Sequence, residues 1–303
     1  MQPPRLRPAL ALALLLPATP AHAALDALMQ AILESDFRLT TQESDIPFPR
    51  TAWVQTEYSP HTEISGGARY AETAVSQGAL WPASVSKRDM FVLGENIRWD
   101  QVEARTGPPD RHTVLTVSPI AAWLRQIDHD NLVAVFTAPF FSRELQHHDS
   151  WGMQCFTGVV ALHWRDQHWK WLYGGVHEYT FGDNILYPYL GAIWTPSRHW
   201  SVNLVIPWPA VSYAPDKNTL YTLGLSPGGS AFVTDSSETK TRYSLNTWNL
   251  TTSAGRQLRP HLWLAAGAGI SGLRSLTATD ANDTRQLKIK SSPFFTLSLQ
   301  FRP

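Results

Sequence analysis

Hydrophobic and polar residues alternate with a period of two through most of this chain. Trp200, Val202, Leu204, Ile206 and Trp208 alternate with Ser201, Asn203, Val205 and Pro207. Phe295, Leu297, Leu299 and Phe301 alternate with Thr296, Ser298 and Gln300, and Leu262, Leu264, Ala266, Ala268 and Ile270 form a further alternating set with Gly267 and Gly269 between them. Successive side chains of a strand point to opposite faces. One face of these strands is therefore apolar and the other polar or small, the dyad pattern of a sheet closed into a transmembrane barrel.

Short polar turns punctuate the pattern and lead at once into an aromatic residue. Arg165-Asp166-Gln167-His168 precedes Trp169, Pro196-Ser197-Arg198-His199 precedes Trp200, and Arg259-Pro260-His261 precedes Leu262-Trp263. Such cassettes are hairpin signatures. Placing strands between them predicts an all-β, antiparallel up-and-down barrel of about fourteen strands. They fall near 50–58, 67–83, 89–104, 111–125, 131–144, 150–165, 168–181, 185–195, 199–207, 209–215, 218–233, 239–256, 261–276 and 287–302. Twelve strands, with the first hairpin outside the barrel, is the alternative. The tight turns near 86, 128, 166, 197, 216 and 258 fall at one end. The longer connections 59–66, 145–150, 234–240 and 277–286 fall at the other, as in barrels with short periplasmic turns and long outer loops. Pro119 and Pro139 interrupt predicted strands at similar distances from the turn near Asp128, which would set them opposite each other. Pro188, Pro207 and Pro209 weaken the strand count.

The N-terminus supplies a destination. Met1–Ala23 reads as a cleaved signal peptide, with Arg5 and Arg7, an apolar run Ala9–Leu16 and the site Ala21-His22-Ala23. The alternative, an N-terminal membrane anchor, needs about 20 apolar residues, and Pro17 and Pro20 cut this run short. Residues 24–49 form a leader in which Leu25, Leu28, Met29 and Ile32 predict a helix over Ala24–Phe37, a candidate periplasmic segment or plug. Residues 50–303 are the predicted barrel.

Charge narrows the function classes. The chain has 25 basic and 25 acidic residues; losing Arg5 and Arg7 leaves 23 against 25, a net charge near −2. No basic field of a nucleic-acid binder is present. Cys155 is the only cysteine, so an intrachain disulfide is excluded. The thirteen Trp matter through their positions. Trp164, Trp169, Trp194, Trp200 and Trp263 flank turns, where a membrane–water interface selects amphipathic rings. Core packing would favour strand centres instead.

Candidate chemistry is sparse. His147, His148 and Asp149 could contribute to a metal site. His148 and Ser150 stand two apart, and that H-x-S spacing resembles the catalytic pair of outer-membrane lipid A deacylases. A solvated outer loop is the better account of the cluster, since no base or oxyanion donor can be placed beside Ser150. His177 and Glu178 have mixed parity, His177 falling with the lipid-facing Trp171, Tyr173 and Tyr179. Ser201, Asn203, Arg242, Asn246, Thr296, Ser298 and Gln300 are the expected lumen-facing polar positions, and they predict a polar interior without a strongly charged ring. Gly228-Gly229 reads as a turn or bulge, and no cofactor fingerprint is present.

Tyr187-Pro188-Tyr189-Leu190-Gly191-Ala192-Ile193-Trp194-Thr195-Pro196-Ser197-Arg198-His199-Trp200, with Pro207 and Val211-Ser212-Tyr213, resembles an uncharacterised family of bacterial outer-membrane β-barrels, a domain of unknown function. The resemblance implies a fold and no activity. One departure is the ending: such barrels commonly finish on an aromatic residue, whereas Phe301 is followed by Arg302-Pro303. The expected function is therefore a structural or passive channel-type barrel for an unknown small solute. Its partners would be outer-membrane lipid, lipopolysaccharide and the barrel-assembly machinery. A lipid- or lipopolysaccharide-modifying hydrolase and a soluble secreted β-protein that binds a glycan or protein are the alternatives.

Overall fold

The structure, a computed structural model, describes residues 35–40, 44–63, 69–104, 111–146, 150–180, 183–235, 240–280 and 283–303. The proposed signal peptide, nearly all of the predicted helix, and His147, His148 and Asp149 lie outside these residues.

A single antiparallel sheet closes on itself. Its strands are β1 (Ala52–Glu63), β2 (Arg69–Val85), β3 (Asp89–Ala104), β4 (Arg111–Gln126), β5 (Asn131–Glu144), β6 (Gly152–Trp164) and β7 (Trp169–Thr180). They continue as β8 (Asp183–Ser197), β9 (Trp200–Asn203), β10 (Ala210–Asp216), β11 (Thr219–Asp235), β12 (Lys240–Arg259), β13 (Leu262–Thr279), β14 (Thr284–Ile289) and β15 (Ser292–Phe301). Each strand from β1 to β13 pairs with the next along the chain, and β1 pairs with β15, Ala52 opposite Phe301. Both β14 and β15 pair along β13, on successive stretches of it. They are two pieces of one wall position, so the wall has fourteen positions. The alternation dictates this closure: Val54, Phe91, Leu93, Leu223, Leu250, Phe295, Leu297 and Leu299 stay exposed outside, while their polar neighbours turn in.

Two sequence expectations change at the strand ends. The connections placed at 59–66 and 277–286 are partly strand, because β1 runs to Glu63 and β13 to Thr279. The strand placed at 199–207 shrinks to β9, whereas the one placed at 209–215 is found one residue along as β10. Between them the chain folds back through a tight bend in which Trp208 N–H donates to the Val205 carbonyl at 2.8 Å and Ile206-Pro207 is cis. Asn203 braces the bend, donating to the Trp208 carbonyl (2.9 Å) and accepting from Val205 N–H (3.1 Å).

The short hairpin interrupts the wall. β8 pairs with β9 only at Ile193, Trp194 and Ser197, with an isolated bridge from Leu190 to Ile206. β11 pairs with β10 no further than Gly224. Beyond these points, among the described residues, Asp183–Tyr189 and Ser226–Asp235 pair with no strand on the side of the short hairpin. Each free edge carries a proline, Pro188 and Pro227, which is how sheet edges are kept from pairing further. β11 also meets β5 and β6 across the interior, a contact that an open circular section of fourteen strands would not make. The barrel is thus pinched where the wall is incomplete.

Pro119 and Pro139 do face each other. Val117 opposes Phe141 and Ala121 opposes Thr137, so the register sets the two prolines across the unpaired stretch between them. Two missing N–H groups share one defect, which spoils fewer ladder bonds than two separate sites would.

Candidate functional site

The inner face of the unbroken wall, from β1–β5 to β11–β15, encloses a cavity of about 920 Å³. Across it runs a charged belt that the sequence reading did not place. Arg98 Nε and Nη2 each lie 2.8 Å from Asp100 Oδ1, and Nη2 lies 3.7 Å from Glu57. Arg274 Nη2 lies 3.2 Å from Glu72, and its Nη1 donates to Thr62 Oγ1 at 3.1 Å. Ser59 and Ser292 hydroxyls share a 2.6 Å hydrogen bond beside it. The belt therefore puts three carboxylates and two guanidinium groups on the lumen, a nearly balanced set of charges that the expected polar positions did not include. The signal was available: Gln55, Glu57 and Ser59, and Asn96, Arg98 and Asp100, stand two apart and so share a face. What sequence could not supply was which strands would bring them together.

The short-turn end is laced at its rim. His168, His199 and His261 each occupy a turn. Their Nδ1 atoms lie 2.8, 2.9 and 3.1 Å from the carbonyls of Thr195, Ala214 and Arg302. The N–H groups of the same three residues donate back to the histidine carbonyls, each at 2.8 Å. This two-point clasp ties each hairpin to its neighbour and explains the histidine in the recurring cassette.

A strap crosses this end. Phe37 is buried among Leu132, Leu162 and Trp164. Arg38, opening the short 3₁₀ turn Arg38–Thr40, binds Asp130 at 2.7 Å. Asp45 N–H donates to the Arg198 carbonyl at 2.7 Å, and its carboxylate lies 3.4 Å from His199. Ile46 packs on Ala214, Leu220 and Trp263, and the Phe48 carbonyl accepts from Arg302 at 3.0 Å. The contacts run from the β4–β6 side, past the β8–β9 turn, to β13 and β15. Residues 35–40 and 44–49 of the leader thus lie over the mouth.

The turn-flanking tryptophans divide into two sets. Trp194 and Trp200 are exposed, Trp169 stacks on Trp194 and Trp171, and Trp200 lies 4.5 Å from Tyr213 between ring centroids. These belong to an outward girdle. Trp164 (2% exposed) and Trp263 (3%) are turned away from it, which corrects their assignment to a membrane interface. Arg38 sits over Trp164 and Arg302 over Trp263, at 5.4 and 5.7 Å. Arg50 covers Trp53 in the same way at 4.6 Å. Three tryptophans capped by arginines hold the strap.

Thr296, Ser298 and Gln300 line the cavity. Ser201 opposes Ser212, which bonds Thr222 of the inner face at 3.4 Å, and Asn203 is engaged in the β9–β10 bend. On β12 the lining residues are Tyr243, Leu245, Thr247, Asn249, Thr251 and Ser253; Arg242 and Asn246 have the opposite parity and face outward, as exposed Leu250 does. Ser150 precedes β6 at the long-loop end. His177 is exposed and lies 3.1 Å from the Asn184 side chain.

No known family profile matches the chain, and no curated protein matches it. Among solved structures it is similar to the deltaS2 mutant of the TodX monoaromatic hydrocarbon channel, at 7% identity over 88% of this chain and 94% of that one, with a TM-score of 0.49. It is also similar to the translocator domain of autotransporter NalP from Neisseria meningitidis, at 9% identity over 93% and 98%, TM-score 0.37. A porin mutant of Rh. blastica follows at 6% identity over 84% and 100%, TM-score 0.29.

Proposed function

We propose that the protein is an outer-membrane barrel that passes or holds a small polar solute without chemistry. The observation that carries this reading is the opposition of the two faces. Outside, Val54, Tyr58, Phe91, Leu93, Leu223, Leu250, Phe295 and Leu297 are exposed, a surface that water disfavours and hydrocarbon accepts. Inside, the charged belt lines a cavity of about 920 Å³. Polar groups there replace part of a solute's hydration, which lowers the cost of crossing an apolar layer. The signal peptide read in the sequence supports export to that membrane, and the strap makes the resting state a restricted one.

Cell fractionation, combined with gel mobility before and after boiling, tests the membrane barrel. Outer-membrane recovery with a heat-dependent shift is expected; a species soluble without detergent would overturn it. Planar-bilayer conductance then tests passage, with small or intermittent steps expected from a strapped mouth.

A further inference from the structure

Beside the strap lies a second, smaller cavity of about 350 Å³, bordered by Arg50, Thr222, Ser253, Trp263, Gln300 and Arg302. Arg50, Ser253 and Gln300 border the larger cavity as well, so the two spaces adjoin. No acidic residue borders the smaller one. Both guanidinium groups instead have neutral partners. Arg50 Nη1 donates to Gln55 Oε1 at 3.2 Å. Arg302 Nε and Nη2 donate to Gln300 Oε1 at 3.1 and 2.8 Å, and its Nη1 to the Phe48 carbonyl. Among the described residues neither is within ion-pair distance of a carboxylate.

We propose that Arg50 and Arg302 form a binding site for an oxyanion, a carboxylate or phosphate group carried by the solute. A guanidinium offers five N–H donors in a planar fork that matches such oxygens. The bonds above leave several unused, most of them on Arg50. Trp53 and Trp263 cover one face of each fork, which holds the groups in place. Two cations at one small cavity repel, and burial followed by the Arg50 charge pushes the Arg302 guanidinium down to about 10. An anion between them relieves the repulsion, whereas a cation would increase it. The acidic members of the belt, Glu57, Glu72 and Asp100, border only the larger cavity. An anion is therefore held at the strapped end and not beside them.

This site lies in the lumen of the proposed transport barrel, but its binding test does not require conduction. Full-length protein folded in detergent would be titrated calorimetrically with acetate and with inorganic phosphate at low salt. Saturable binding is expected, weakened at least tenfold in Arg50→Gln and Arg302→Gln. Arg50→Lys and Arg302→Lys keep the charge and lose the fork, so a threefold or greater loss is expected. The lysine variants decide the matter if a glutamine variant fails to show the heat-dependent mobility shift. Absence of binding by the parent protein, or equal affinity in folded variants, would overturn the site. Binding without conductance would leave the site standing and remove the transport reading. Conductance without binding would do the reverse.

Discussion

The wall from β1 to β5 and the wall around β9 and β10 are made from the same alternation, yet they end differently. In the first, strands of twelve to seventeen residues pair along most of their length, and their inner face collects Glu57, Glu72, Arg98 and Asp100. In the second, β9 has four residues and β10 seven. The remaining half of β8 is apolar and exposed on both sides, with Leu186 at 74% and Leu190 at 63%. A spanning strand needs about 9–11 residues, so in the membrane setting proposed above, counting from Trp194 of the girdle would put this free edge at bilayer depth. An unpaired edge in hydrocarbon leaves backbone groups unsatisfied, at several kcal/mol each. The fold answers by bringing β11 inward to β5 and β6 and by placing prolines on both edges. Strand length, and not alternation alone, decides whether a barrel wall is continuous.

Amide hydrogen exchange should break this comparison most sharply if it is wrong. Amides of β3 should be protected by orders of magnitude over those of Asp183–Tyr189 that point away from β7. Equal protection would mean that the wall is complete there. Next in size is the strap. Phe37→Ala removes a buried ring, and core truncations of this kind cost about 3–5 kcal/mol. Here the loss should fall on the leader alone, giving a several-fold rise in bilayer conductance with the boiling shift unchanged. A barrel that fails to fold would contradict a separable strap.

Close strand approach gives a third test. A Cβ at Gly174 would stand 2.0 Å from the Val159 carbonyl, and one at Gly191 2.4 Å from the Val205 backbone. Gly191→Ala should lower the unfolding midpoint in urea by an amount equivalent to about 1–3 kcal/mol, as overpacking does. An equivalent Gly255→Ala change meets only ordinary contacts of 3.6 Å or more and should be nearly silent.

The smallest effect concerns the rim. Asn131 and the Asp130 N–H hold the Asp128 carboxyl below the usual range, His168 and Trp169 N–H groups do so for Asp166, and the Asn218 N–H and Thr219 for Asp216. Depressed acid pKa values stabilise the folded state above the unfolded value, near pH 4, and that contribution is lost as pH falls through the folded values. All three groups are exposed, so only a slight fall in the thermal midpoint is expected below pH 4. Replacing all three with Asn should flatten it.

Much of this was written in the chain. Period-two alternation and polar turns containing Asp166, His199 and Asp216 are local signals, so strand positions, the facing prolines and the two unlike ends followed from them. The tryptophans show where local information stops. Trp164 and Trp263 flank turns just as Trp194 and Trp200 do, yet the first pair is buried against the leader and the second remains outside. Likewise nothing near Ile206-Pro207 indicates that β9 would stop at Asn203, since the alternation runs through it.

Sequence by itself determined the closed antiparallel sheet, because one apolar face per strand admits few other burials. Tertiary structure decided the charged belt, the strap, the incomplete wall and the paired arginines. Each of those depends on residues brought together from distant strands, and separation along the chain leaves no periodic trace of contact across a lumen.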